Sequence, residues 1–303
     1  MIGVPSGASL AVVDATIGEA RELVDMGREE DALQLLALAI ERNPMITDLR
    51  LEMGDIHRAR GEYSEAEQTY AAAARQDPGS FEAHYYQGLM LHVMDRLAES
   101  VRAYLRALAL RPDDAQANLN LATAYMQLNE PAQALHYAER AAEMDPLQGQ
   151  GRITLASVYS MLGRHEDAVR EYEAASELMD LSSQVLLSMA DSQGKIGRYE
   201  EMANTLRVLI GMEPSAAAYE RLGFALFKMK KLTDAEDAFN RAILADARHY
   251  PALNGLGVCL LNRYLMSDRQ DVEALRKATD LLRQSLRINR NQPRIVELVS
   301  RFG

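Results

Sequence analysis

Small and large apolar positions recur along this chain with a long, regular period. Small residues stand 34 apart at Ala20, Gly54, Gly88, Ala122, Ala156 and Ala190, and the row continues, one residue short, at Gly223 and Gly257. Twelve places after the first seven of these comes Ala32, Ala66, Ser100, Ala134, Ala168, Met202 or Ala235. Seven places further stands Ala39, Ala73, Ala107, Ala141, Ala175, Leu209 or Ala242. Between these last two rows lies a larger residue, Leu36, Tyr70, Tyr104, Tyr172, Leu206 or Phe239, with Ala138 the small exception. Small side chains at fixed helical positions let two backbones approach closely, and the large one fills the space beside them. The pattern predicts eight packed, antiparallel helix pairs.

Turn chemistry agrees with that reading. Gly27, Gly61, Gly163 and Gly197, with Asp95 and Asn129 at the equivalent places, fall between the helices of a pair, where a left-handed residue is wanted after a helix end. Pro44, Pro78, Pro112 and Pro146 are 34 apart, and Pro214 lies 68 beyond the last, each just past a second helix. Thr47, Ser80, Asp113 and Ser215 are placed to cap the helix that follows. Two pairs depart from the pattern. The sixth has Asp180 for Pro, Gln193 at an apolar place, an extra Gly194, and Met202 and Leu209 for alanines, which predicts the loosest packing. The eighth carries nine extra residues around Asn262 to Leu275, and its second helix is expected to start near Ser267, which stands in capping-box spacing with Gln270.

A 34-residue helix pair with small residues at its eighth, twentieth and twenty-seventh places and Pro at the thirty-second resembles the tetratricopeptide repeat. The resemblance runs over residues 11–290, in repeats starting near 11, 45, 79, 113, 147, 181, 215 and 248, between a tail at 1–10 and a C-terminal capping helix at 291–303. It implies an all-α fold, an α-solenoid wound as a right-handed superhelix of about eight helix pairs. It also implies a concave groove, lined by the first helix of each pair, that holds a peptide or helix of a partner protein.

Counting places along those first helices gives the expected groove. The second repeat supplies Asp48, Leu51, Asp55 and Arg58, and the third Glu82, Tyr85, Tyr86, Leu89 and His92. The fourth supplies Gln116, Leu119, Asn120, Thr123 and Gln127, and the fifth Gln150, Ile153, Ser157 and Met161. Apolar anchors mixed with amides and hydroxyls suit an extended backbone whose side chains are buried, and a merely solvated face would not carry Tyr85, Tyr86 and Leu89 together. Family members that grip a chaperone's terminal carboxylate use a Lys/Asn clamp, but the corresponding places here hold Ile17, Leu51, Tyr85, Leu119, Ile153 and Leu187. The asparagine ladder of sugar-transferring members is represented by Asn120 alone.

Composition narrows the function further. The absence of Trp and the dominance of Ala, Leu, Glu, Arg, Gln and Met favour helix over strand. Of a net charge of −11, residues 251–303 hold nine Lys/Arg against five Asp/Glu, so the preceding 250 residues are strongly acidic. Nucleic acid is therefore not the expected partner, because phosphate binding needs clustered cations. No apolar run is long enough for membrane insertion. With a single cysteine, Cys259, and no convincing signal peptide, the expected location is cytoplasmic.

No catalytic, cofactor or metal site is expected. Ser192 and Lys195 have Ser-x-x-Lys spacing but no Lys-Thr-Gly companion, and Gly255-Leu256-Gly257 lacks the strand and third glycine of a phosphate turn. His57, His84, His92, His136, His165 and His249 never stand four apart on a helix, as a zinc helix requires. The expected function is a scaffold or adaptor that binds a basic or mixed apolar and polar segment of another protein. The alternatives are a homo-oligomeric structural scaffold, in which an acidic body meets a basic C-terminal end, and a non-catalytic regulatory arm of an enzyme complex.

Overall fold

The computed structural model describes residues 7–303, with side chains from Ala11 onward, so most of the expected N-terminal tail lies outside the described residues. Among the described residues there are seventeen helices and no strand. They run α1 Gly7–Asp25, α2 Glu29–Arg42, α3 Thr47–Ala59, α4 Tyr63–Gln76, α5 Phe81–Val93, α6 Leu97–Leu110, α7 Ala115–Gln127, α8 Pro131–Met144 and α9 Gly149–Met161. They continue as α10 His165–Ser176, α11 Ser183–Lys195, α12 Tyr199–Met212, α13 Ala216–Lys228, α14 Leu232–Ala245, α15 Tyr250–Met266, α16 Val272–Ile288 and α17 Pro293–Phe302. The chain forms two compact units that divide after Val158. In the first unit each helix from α1 to α8 packs on the next, and α1, α3, α5 and α7 also pack side by side; in the second unit each helix from α10 to α17 packs on the next. This is the all-α solenoid the period predicts.

The small-residue row works by close approach to a ring. A Cβ added to Gly54 would come within 2.5 Å of the Tyr70 ring, and one on Gly88 within 2.7 Å of the Tyr104 ring. Ser100, in the row of alanines, is fully buried and donates its hydroxyl to Gly88 O at 2.8 Å, so the backbone gains a bond without losing proximity. In the second unit one ring serves two glycines: added Cβ atoms on Gly223 and Gly255 would lie 2.8 and 2.3 Å from Phe239.

The turn glycines adopt positive φ, from 71° at Gly27 to 79° at Gly197, and Asp95 and Asn129 do so at 59°. Lys230 takes the same conformation in the seventh pair at 62°, a place composition did not reveal. Ser80 and Ser215 cap α5 and α13 by accepting the N–H of Ala83 and Ala218. Thr47 is instead the first residue of α3, which has no side-chain cap. Asp114 rather than Asp113 caps α7, accepting from Ala117 N at 2.7 Å, while Asp113 pairs with Arg140.

In the eighth pair the second helix starts later than the capping spacing suggests, and in the sixth the departures from the pattern meet one another. In the eighth, α15 and α16 are both 17 residues long, so the insertion lengthens both helices. Helix α16 begins at Val272, capped by the Asp271 carboxylate. Ser267 closes α15 instead, donating to Tyr264 O and accepting from Asp271 N. The terminal helix α17 packs on α16, where Gln292 Nε2 donates to Ser285 Oγ at 2.9 Å. In the sixth pair, Gln193 is buried but its Oε1 accepts the Thr205 hydroxyl at 3.0 Å. A Cβ on Gly194 would stand 2.8 Å from Met202 Sδ, so this glycine makes room for the methionine that replaces an alanine.

Candidate binding face of the first helices

The inner helices of the first unit bring a run of aromatic rings together. On α5, Tyr86 stacks on Tyr70 with centroids 5.3 Å apart, lies edge-on to Tyr85 at 5.2 Å, and carries the Arg58 guanidinium over its ring at 5.6 Å. Arg58 is held in place by Asp55, whose Oδ1 accepts Arg58 Nη2 at 3.0 Å and the Tyr70 hydroxyl at 2.8 Å. Burial, and then the Asp55 carboxylate, push the Tyr70 phenol well above its usual range, so it remains a donor. Leu51 and Leu89 are partly buried against the same cluster.

Tyr85 belongs to a different set of contacts. Its ring stacks on Phe81 at 5.6 Å and lies 6.0 Å from Tyr104, and its oxygen accepts from Asn120 Nδ2 on α7 at 3.1 Å. Asn120 Oδ1 in turn accepts from Gln116 Nε2. Burial raises the Tyr85 phenol, with Asn120 opposing it. His92 and Gln127 bridge the same two helices through Nε2 and Oε1 at 2.9 Å.

Beside Tyr86 lies an open cavity of ≈ 480 Å³ that spans α1, α3 and α5. Its walls carry the carboxylates of Asp14, Asp48, Glu52, Asp55 and Glu82 over an apolar floor of Ile17, Leu51 and Tyr86. Arg21 is the one basic side chain in the lining, and it is committed to Glu52 by a two-point pair at 2.9 and 2.7 Å. The contributions of α1 were missed in counting groove places from the second repeat. The period held the signal, since Asp14, Asp48 and Glu82 stand 34 apart.

Other expected groove residues are distributed differently. Leu119 and Ile153 are only 5% and 7% exposed, and Thr123 and Ser157 donate their hydroxyls to the Leu119 and Ile153 carbonyls. Gln116, Gln127 and Gln150 are exposed. Met161 falls in the second unit and is exposed.

Comparison with known proteins decides the lineage. The model of the tetratricopeptide repeat matches residues 17–81, 51–115, 94–148, 119–179 and 187–251, which together exceed half of the chain. The chain belongs to the tetratricopeptide repeat family. Among solved structures it is similar to YrrB, a tetratricopeptide protein described as having an unusual peptide-binding site, at TM-score 0.55 and 18% identity over 65% of this chain and 98% of that one. A tetratricopeptide protein of Parabacteroides merdae ATCC 43184 gives TM-score 0.55 and 18% identity over 84% and 100%. PilF of Pseudomonas aeruginosa gives 0.58 and 20% over 70% and 96%. These likenesses carry the repeat fold. No curated protein sequence matches the chain. Among the described residues no helix of this tetratricopeptide protein is long and apolar enough to cross a membrane.

Proposed function

We propose that the protein is an interaction scaffold whose first unit binds a segment of a partner protein along α1, α3 and α5, the segment combining basic and apolar side chains. The observation that carries this reading is the cavity whose acidic walls stand over Ile17, Leu51 and Tyr86. Carboxylates in excess of local bases favour a cationic segment and steer its approach, while the apolar floor supplies area to bury. The fold by itself leaves the partner open; the peptide-binding site named for YrrB makes a groove ligand a natural use of such a surface. No catalytic residue enters the reading.

Asp48 is exposed and makes no ion pair with any described residue, so Asp48→Lys changes the wall without disturbing packing. Capture from a native lysate on immobilised protein, compared with Asp48→Lys and Tyr86→Ala at equal folded concentration, tests the reading. Partner recovery is expected to fall at least tenfold in Asp48→Lys. Recovery by both variants equal to that of the unsubstituted protein would rule this face out.

A further inference from the structure

The inner helices of the second unit hold a carboxylate that has no hydrogen-bond or ion-pair partner among the described residues. Glu220 on α13 is partly buried, accepts no hydrogen bond and makes no ion pair with any described residue. Its neighbour Arg221 is unavailable to it, because Arg221 Nε and Nη2 grip Asp191 of α11 at 2.6 and 3.3 Å. Repeat register explains the isolation. Glu220 occupies the place that Tyr85 holds in the third repeat, and Gly255 the place that Asn120 holds in the fourth, each pair being 35 residues apart. Tyr85 and Asn120 hydrogen-bond each other, whereas a glycine offers a carboxylate no side-chain donor. Nothing larger than Gly fits at 255, since an added Cβ would meet the Phe239 ring at 2.3 Å. One turn along α13 from Glu220, Phe224 is exposed, and its ring already carries Lys228 Nζ at 5.4 Å, so it accepts cations.

We propose that the second unit has its own binding site, in which Glu220 pairs with the guanidinium of an arginine on a partner protein and Phe224 supports the arginine's stem. A planar fork of donors matches a carboxylate, stacks on an aromatic face and is weakly hydrated, which suits a half-buried acid better than an ammonium would. Leaving a desolvated carboxylate unpaired costs the free protein stability, and a bound donor recovers it. Burial accordingly raises the Glu220 pKa, with Arg221 opposing. The proposal does not rest on the reading of the first unit.

The test uses the full chain with N-acetyl-arginine amide as the probe, followed by amide chemical shifts, and N-acetyl-citrulline amide as its uncharged isostere. Arginine amide is expected to shift resonances in residues 217–228 and 250–258 saturably, and citrulline amide to do so at least tenfold more weakly. Glu220→Gln should abolish the saturable shifts while its melting temperature stays equal to or above that of the wild type. Equal shifts from both probes, shifts that persist in Glu220→Gln, or no saturable shift at all would each overturn the site. A fall in melting temperature for Glu220→Gln would likewise overturn it, by making the carboxylate a structural partner.

Discussion

Tyr85 and Tyr86 are adjacent in the chain but their truncations should differ in kind. Tyr85 joins α5 to α6 through the Tyr104 ring and to α7 through the Asn120 hydrogen bond, and stacks on Phe81 of its own helix, all internal to the fold. Tyr85→Ala should therefore cost about 2–3 kcal/mol of stability, from lost ring contacts, lost area and an amide left without its acceptor. Tyr86 lines the cavity of the first unit, so Tyr86→Ala should cost less stability and weaken partner capture more. Melting curves and capture measured on the same preparations separate the two. If Tyr86→Ala instead loses the greater stability, its stack on Tyr70 outweighs its surface role. From sequence alone the two tyrosines could not be told apart, because register assigns both to the same helix face and the difference lies in what Asn120 and Tyr104 reach from neighbouring helices.

At the scale of a helix pair, the sixth repeat shows how departures from a pattern come in compensating sets. Gln193 and Thr205 form one set, Gly194 and Met202 the other. Thr205→Val should destabilise by about 1–3 kcal/mol, because it strands a buried amide oxygen. Gln193→Leu with Thr205→Val should recover most of that loss, since removing both partners leaves no unpaired group. Chemical denaturation of the two single variants and the double variant reads the coupling; additive effects would show that the bond contributes nothing. The helix pairs themselves were legible because closest approach limits residue size at one place per repeat, which no local propensity can hide. Helix starts were less so. Asp113 and Asp114 offer the same cap one place apart, and Ser267 has capping-box spacing yet closes α15, because Asp271 is better placed to receive the Ala274 amide. The acidic wall of the candidate site was legible in the 34-residue spacing of Asp14, Asp48 and Glu82, but its depth depends on how three helices pack.

Over the whole molecule, contacts are made chiefly between neighbouring helices, so unfolding need not be a single cooperative step. Cys259 provides a probe of the second unit. It is fully buried in α15, and burial pushes its thiol up to about 12, so at pH 8 it reacts only when α15 opens. Labelling by a chromogenic disulfide should be slower than in denaturant by a factor of about a hundred or more, in proportion to that opening. Rapid labelling of the native protein would mean that α15 separates from its neighbours far more easily than its packing implies. The ring of Phe239 has a consequence of another sort. It needs a glycine in its own repeat, Gly223, and another in the next, Gly255, whereas Tyr70 meets only the glycine of its own repeat at such short range. The seventh repeat therefore carries a key that fits its present successor and, by register, only one other repeat, the first, which has Gly18 at the place of Gly255. Placing any of the second to seventh repeats after that junction would insert a Cβ into the ring, so the order of modules there is constrained by shape, and the array is less interchangeable than its regular period suggests.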